Sequence, residues 1–398
     1  MPTERQNQYY YITHIDNVPS IVQHGILSHN KREQMGIAHT PIYDLGIVSR
    51  RRERSLNGAV LGDYANLFLR AKNPMLWRVI SEVGVDKLAI VAVKQEIRRK
   101  RDALVTDGNA AHSLTSFFPT SKYQEVVRGL REDLQRQYWK EEDGSKRRTM
   151  AEILVPDMIP SEMISAIYVA NPIVRGSLLQ KVSGVSVIPE PFLFWLPQHR
   201  KRLNHNVHLV EGDLFFSRLQ TLTVSVNTKG IMGKGLASRA KYQFPDVYVE
   251  YQDACRSRKL KMGRPFLYKR ETSLQEEMAD IPEAVNGDKD RETWFLLFAT
   301  KDDWRHPADF DGIIDGLRWL EANHAKEGIK SLAMAALGCG LGRLSWQKVG
   351  PVLCQSMVRL GIKVWIYLPA EKQIPEDQLE PGFLLESHVI ESRGGLGL

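Results

Sequence analysis

Residues 226–237 read Val-Asn-Thr-Lys-Gly-Ile-Met-Gly-Lys-Gly-Leu-Ala, and no other stretch of the 398-residue chain constrains the fold as tightly. The apolar run 221–226 before it has the pattern of a buried strand. Leu236, Ala237, Ala240 and Phe244 after it recur at helical spacing. Between them stand Gly230, Gly233 and Gly235. Glycines at a strand-to-helix turn let backbone N–H groups close on an anion, and the helix N-terminus adds a favourable dipole. A phosphate or diphosphate fits such a turn, and so does a purely structural tight turn. The spacing matches neither the P-loop nor the dinucleotide-binding fingerprint.

The second half repeats this alternation. Strands are expected at 206–210, 221–226, 293–300, 331–337 and 363–368, and helices at 234–244, 310–325 and 346–360. Strands alternating with helices argue for an α/β three-layer domain, with ligand loops at the strand C-terminal ends. Gly338, Gly340 and Gly342 fall at such an end, and Cys339 among them reads as packing rather than as a nucleophile. Residues 272–292 are acidic and polar and are expected to be a mobile inserted loop. Residues 371–398 are expected to be a flexible tail.

The first half has a different rhythm. Three tyrosines, Tyr9 to Tyr11, lead to His14, and a short helix stopped by Gly25 follows. A His after a strand is either a hydrogen-bonded structural residue or part of a site. Arg50, Arg51, Arg52 and Arg54 are a solvated face, or a clamp for a diphosphate or a nucleic-acid backbone. Further on come a strand over 62–70, a Pro74-started helix, a strand at 88–93, a polar turn at 106–111 and a charged helix at 125–139. Glu152 then sits among Met150, Ile153, Leu154 and Val155. A carboxylate there is costly unless paired, so it is either salt-bridged to a nearby arginine or catalytic.

The net charge is +7, and residues 1–200 carry 27 of the 54 basic and 21 of the 47 acidic side chains. The basic excess therefore lies in the first half and hints at a polyanionic partner there. Three scattered cysteines give neither a disulfide framework nor metal spacing. No apolar run reaches the length of a membrane span, and no signal-peptide core is present, so the expected location is the cytoplasm.

Gly212-Asp213-Leu214, Val226-Asn227-Thr228 with the glycines after it, and 336–342 together resemble a macrodomain of the DarG antitoxin type, a DNA ADP-ribosyl glycohydrolase. His14 to Asn17, the arginine run 50–54, Gly62-Asp63-Tyr64, Asn73-Pro74-Met75, Thr106 to Ala110, Tyr138-Trp139 and 146–155 resemble, in order and spacing, the DarT toxin family over roughly residues 8–200. That family has an ADP-ribosyltransferase fold and modifies bases of single-stranded DNA with NAD. The resemblances imply an α+β ADP-ribosyltransferase fold over 1–198, a linker at 199–206 and an α/β/α macrodomain over 207–370.

The same resemblances imply site residues. Glu152 is the expected catalytic glutamate, and Arg51 the arginine at the diphosphate, with Arg50, Arg52 or Arg54 as alternative matches. His14, Asn17, Arg54 and Asn109 are expected in the NAD site, although some relatives carry a His in place of Asn109. In the macrodomain, Asp213 is expected to accept the adenine amine and Asn227 to contact the distal ribose. Gly230, Gly233, Gly235, Gly338, Gly340 and Gly342 would wrap the diphosphate, and Lys301 would be the catalytic lysine. Expected ligands are NAD as substrate, ADP-ribose and single-stranded DNA, with no metal and no membrane, and an intramolecular contact of the toxin and antitoxin halves is a further option. The implied function is a fused toxin and antitoxin. The alternatives are a transferase acting on protein or RNA, or an ADP-ribose reader with a degenerate transferase domain.

Overall fold

The computed structural model describes residues 8–42, 54–56, 59–282, 292–370 and 372–386. Two compact units emerge: residues 2–194 together with 274–288, and residues 195–273 together with 289–398.

The first unit holds an eight-stranded sheet. Its strands are β1 (Gln8–His14), β2 (Tyr64–Phe68), β3 (Leu88–Lys94), β4 (Leu104–Thr106), β5 (Phe117–Pro119), β6 (Glu152–Pro156), β7 (Ile164–Val169) and β8 (Val187–Pro189). The order across the sheet is β8-β7-β3-β1-β2-β6-β4-β5. All neighbours are antiparallel except β7 and β8. Strand β3 is buried on both faces, as its unbroken apolar run Leu88 to Val93 requires. Helix α1 (Val18–His24) ends where Gly25 takes a φ of 82°. Helix α2 (Pro74–Val83) starts at Asn73, whose side chain accepts the Leu76 amide at 3.0 Å. It buries Leu76, Trp77, Val79 and Ile80. The single charged helix expected at 125–139 is instead two short ones, Tyr123–Gly129 and Arg131–Gln135, because the chain leaves helical geometry at Leu130 and turns extended at Arg136.

The second unit is a seven-stranded sheet between helices. Its strands are β9 (Gln198–Arg202), β10 (Val207–Glu211), β11 (Thr221–Asn227), β12 (Phe266–Tyr268), β13 (Trp294–Lys301), β14 (Ser331–Ala335) and β15 (Lys363–Tyr367), in the order β9-β10-β15-β14-β11-β13-β12. The five central strands are parallel and the two edge strands antiparallel. Helices α3 (Gly235–Gln243), α4 (Pro245–Arg256), α5 (Phe310–Glu327) and α6 (Trp346–Arg359) connect them. Phe244, between α3 and α4, packs on Phe295 of β13 at 4.8 Å between ring centroids. Leu296 and Phe298, pointing the other way by alternation, join the core formed with α5 and α6. Helices thus cover both faces, as the alternating pattern implied.

Three segment boundaries need correction. The expected linker 199–206 contains most of β9, an edge strand whose basic side chains suit its position, with Lys201 paired to Glu380 at 2.7 Å. The tail expected to be flexible from 371 instead packs. Leu379 and Leu384 are buried, and Trp346 Nε1 donates to the Gln378 carbonyl at 3.0 Å. Residues 387–398 lie outside the described ones. The loop expected at 272–292 contains a short helix, Leu274–Met278, that belongs to the first unit. Leu274, Met278 and Ala279 are buried there, which a mobile loop would not allow.

Two candidate active sites

In the first unit the site forms where β6 begins. Glu152 is almost wholly buried. Its Oε1 accepts the Ala110 amide at 2.8 Å, and its own amide donates to Thr106 Oγ1 at 2.8 Å. Thr106 in turn donates to the Gly108 carbonyl at 2.6 Å. The turn 107–111 therefore rests on the carboxylate and fixes it. Asn109 shapes that turn: its Oδ1 accepts the Ala111 amide at 2.9 Å, and its own amide donates to the Arg147 carbonyl at 3.0 Å. Arg147 grips Asp107 Oδ1 at 2.8 Å and Thr115 Oγ1 at 3.1 Å.

Arg54, expected in the NAD site, directs its guanidinium at backbone carbonyls. Its guanidinium donates to the carbonyls of Ala110 and Thr115, both at 2.9 Å, and to that of His112, and it lies 4.7 Å from the centre of the Phe117 ring. A planar fork spread over three carbonyls clamps the loop over Glu152. Arg51, like Arg50 and Arg52, lies outside the described residues.

His14 ends β1, and its Nδ1 accepts the Asp16 amide at 3.2 Å. Asn17 exchanges two 2.8 Å bonds with the Thr40 backbone and donates to Thr13 Oγ1 at 3.1 Å. It therefore shapes a wall of the neighbouring cleft, which Tyr11, Arg32, His39, Tyr64 and Asn66 also line. Burial first, then the charge of Arg32 and the nearby His14, push the His39 ring down to about 4, so it is neutral at ordinary pH. Sequence reasoning missed His39 and Arg32, which lie in a polar stretch without periodicity.

In the second unit, Asn227 and Lys301 end adjacent strands and stand opposite each other in the register of β11 and β13. The Asn227 side chain organises the glycine turn: Oδ1 accepts the Lys229 amide at 2.9 Å, and Nδ2 donates to the Ile231 carbonyl at 2.6 Å. Tyr251 of α4 holds it from behind, donating to the Asn227 carbonyl at 2.8 Å. Asp302 pins the same turn through Thr228 and through Lys229 at 3.1 Å. Burial first, and then Arg343, lower the Lys301 pKa below the ordinary lysine value.

Gly230 and Gly235 have φ of 77° and 60°, which explains why glycine stands there. Gly338 has a φ of 74°, and a Cβ at Gly342 would lie 2.5 Å from the Gly338 carbonyl oxygen. Gly340 accepts the Arg343 amide at 3.2 Å, while Gly233 has open space where a side chain would go. The two loops approach each other: a Cβ on Gly235 would sit 3.0 Å from Leu341. Asp213 accepts the Phe215 amide at 3.1 Å and pairs with Arg239, which lies over the Phe215 and Phe216 rings. Burial pushes the Cys339 thiol up to about 12, which suits packing and not nucleophilic attack. Among the described residues no cluster of metal-ligating side chains occurs, and no helix is long and apolar enough to cross a membrane.

Comparisons with known proteins address each unit. The family model "ssDNA thymidine ADP-ribosyltransferase, DarT" matches residues 10–196. A DNA ADP-ribosyl transferase–DNA ADP-ribosyl glycohydrolase fusion protein of Thermosipho africanus is 51% identical over 387 residues, 96% of this chain and 99% of the relative. A DNA ADP-ribosyl glycohydrolase of Thermus aquaticus is 32% identical over 42% of each chain. The solved structure of Thermosipho africanus DarTG in complex with ADP-ribose superimposes with a TM-score of 0.88 at 49% identity, covering 95% of this chain and 99% of that one.

Proposed function

The chain belongs to the family of DNA ADP-ribosyl transferase–DNA ADP-ribosyl glycohydrolase fusion proteins, and from that premise we propose how its two units act. The first unit transfers ADP-ribose from NAD to single-stranded DNA, and the second removes it. Thymidine is the acceptor, as in the description of the matching transferase family. The observation that carries the assignment of residues is the buried Glu152 held by the Ala110 amide.

NAD lies in the cleft beside His14, with Asn17 forming its wall. Nicotinamide departs with the electron pair of the glycosidic bond, leaving positive charge on the ribose carbon. A base nitrogen attacks that carbon, and its proton passes to the Glu152 carboxylate. Arg51 neutralises the diphosphate. Arg54, Thr106, Asn109 and Arg147 position Glu152 and its loop. The base must be unstacked first, which favours a single strand gripped by the basic first half.

In the second unit Asp213, oriented by Arg239, accepts the adenine amine. The loops at Gly230 to Gly235 and Gly338 to Gly342 surround the diphosphate with backbone donors, and Asn227 contacts the ribose. Lys301 acts at the anomeric carbon: its neutral amine attacks, the base leaves with the electron pair and takes the proton the amine releases, the ribose ring opens to give a Schiff base to Lys301, and water hydrolyses that bond to release ADP-ribose. The lowered pKa of Lys301 supports this role. The domains on this reading are a transferase over 2–194 completed by 274–288, and a glycohydrolase over the remainder, working in the cytoplasm.

The test is growth. Cells producing Lys301→Ala full-length protein stop growing, and cells producing Glu152→Ala/Lys301→Ala protein at the same level grow normally. Normal growth with the single variant, expressed intact, would count against the pair of roles.

A further inference from the structure

The first unit is discontinuous in sequence. Residues 2–194 form its sheet, and the remaining piece, 274–288, is encoded between β12 and β13 of the glycohydrolase. That piece is fitted into the unit by specific bonds. Trp77 Nε1 on α2 donates to the Gln275 carbonyl at 3.2 Å, and Ser81 Oγ donates to Gln275 Oε1 at 3.0 Å. Trp139 Nε1 donates to the Met278 carbonyl at 2.7 Å. Arg78, only 2% exposed, binds Asp280 at 2.7 Å, and Glu82 shares the guanidinium at 2.7 Å. Leu274, Met278 and Ala279 are themselves buried.

Without the segment, a guanidinium and two indoles of the transferase unit would lose these partners and face water or each other. A buried arginine that loses one of its two carboxylates is destabilised, as are indole N–H groups that lose their acceptors. An optional surface loop would not be built this way.

We propose that residues 274–282 are a structural part of the transferase, so the writer of the modification is complete only in a chain that already carries the eraser's sequence as far as β12. A nascent chain released before residue 274 would then yield no stable transferase. The consequence for toxicity rests on the transferase reading of the first unit, whereas the structural dependence does not.

The test replaces residues 274–282 in the full-length protein by an equally long Gly/Ser stretch. Thermal unfolding, limited proteolysis, ADP-ribose binding and DNA labelling are then compared with the parent; labelling is read with Lys301→Ala in both proteins. The expected result is loss of protease resistance in residues 2–194 and at least a 100-fold loss of labelling, with ADP-ribose affinity within twofold of the parent. A synthetic peptide spanning 270–282 should restore part of the protection in trans. Full-length Asp280→Ala protein should show the same selective change in milder form. Unchanged unfolding and proteolysis would overturn the proposal. So would loss of ADP-ribose binding, because the segment would then support the other unit. If the parent labels no DNA while protection still depends on the segment, the transferase reading fails and this inference stands.

Discussion

Glu152 Oε1 accepts the Ala110 backbone N–H at 2.8 Å, which places the carboxylate beneath a turn that Arg54 and Arg147 clamp from outside. The carboxylate is therefore positioned by a loop, and the loop by the Arg54 and Arg147 side chains.

Loosening that loop should slow chemistry more than binding. Thr106→Val removes the hydroxyl that accepts the Glu152 amide and donates to Gly108. Misplacing a catalytic group by about 1 Å costs on the order of 100-fold in rate. Steady-state labelling should show kcat falling by roughly that factor with the KM for NAD nearly unchanged. Arg54→Lys should not rescue an Arg54→Ala loss, because one ammonium cannot span three carbonyls. A rise in KM alone would return Arg54 to the diphosphate.

Asp280→Asn should destabilise the first unit selectively. Breaking a buried ion pair costs about 3–5 kcal/mol, and the lower end applies because Glu82 stays with Arg78. Chemical unfolding followed by tryptophan fluorescence should report the change through Trp77 and Trp139, which are buried beside the segment.

His39 makes the first unit acid-sensitive. Its ring stays neutral in the fold down to about 4, against about 6.5 when unfolded. The unfolded chain binds the extra proton between those values, so stability falls as pH drops from about 6.5 to about 4 and this contribution levels off below. The slope is at most about 1.4 kcal/mol per pH unit, reduced by solvent screening because the ring is partly exposed. Denaturant titrations of His39→Gln should lose this slope.

The lowered pKa of Lys301 gives the eraser a pH signature. Removal of ADP-ribose from labelled DNA should rise with pH and level off below the range of an exposed lysine. Arg343→Gln removes a positive charge that favours the neutral amine, so the midpoint should move up. Borohydride should trap the enzyme on its substrate through Lys301. A pH profile indifferent to Arg343 would make Lys301 a bystander.

The shape of the glycine loops and the setting of Glu152 were legible in the sequence. Gly230, Gly235 and Gly338 occupy positive φ, where other residues are strained, so the glycine pattern reports backbone shape. Glu152 stood out as a carboxylate within an apolar strand. The five parallel strands of the second half read correctly to within one or two residues because buried parallel strands are continuous apolar runs, whereas the edge strand β12 did not show. The helix Leu274–Met278 did not show: five residues with two glutamates carry no helical stripe, and their partners lie nearly 200 positions away in sequence. Strand β9 was hidden because its charged composition reflects an exposed edge. The carbonyl contacts of Arg54 were illegible for a related reason, since a guanidinium suits carbonyls and phosphates alike.

One measurement tests the central claim, that a single chain writes and erases the same mark. Purified Lys301→Ala protein is incubated with labelled NAD and single-stranded oligonucleotides. The account predicts label in a DNase-sensitive band that is absent with Glu152→Ala/Lys301→Ala protein and removed by added wild-type protein. Label appearing on protein or RNA instead, or DNA label that wild-type protein leaves in place, would contradict it.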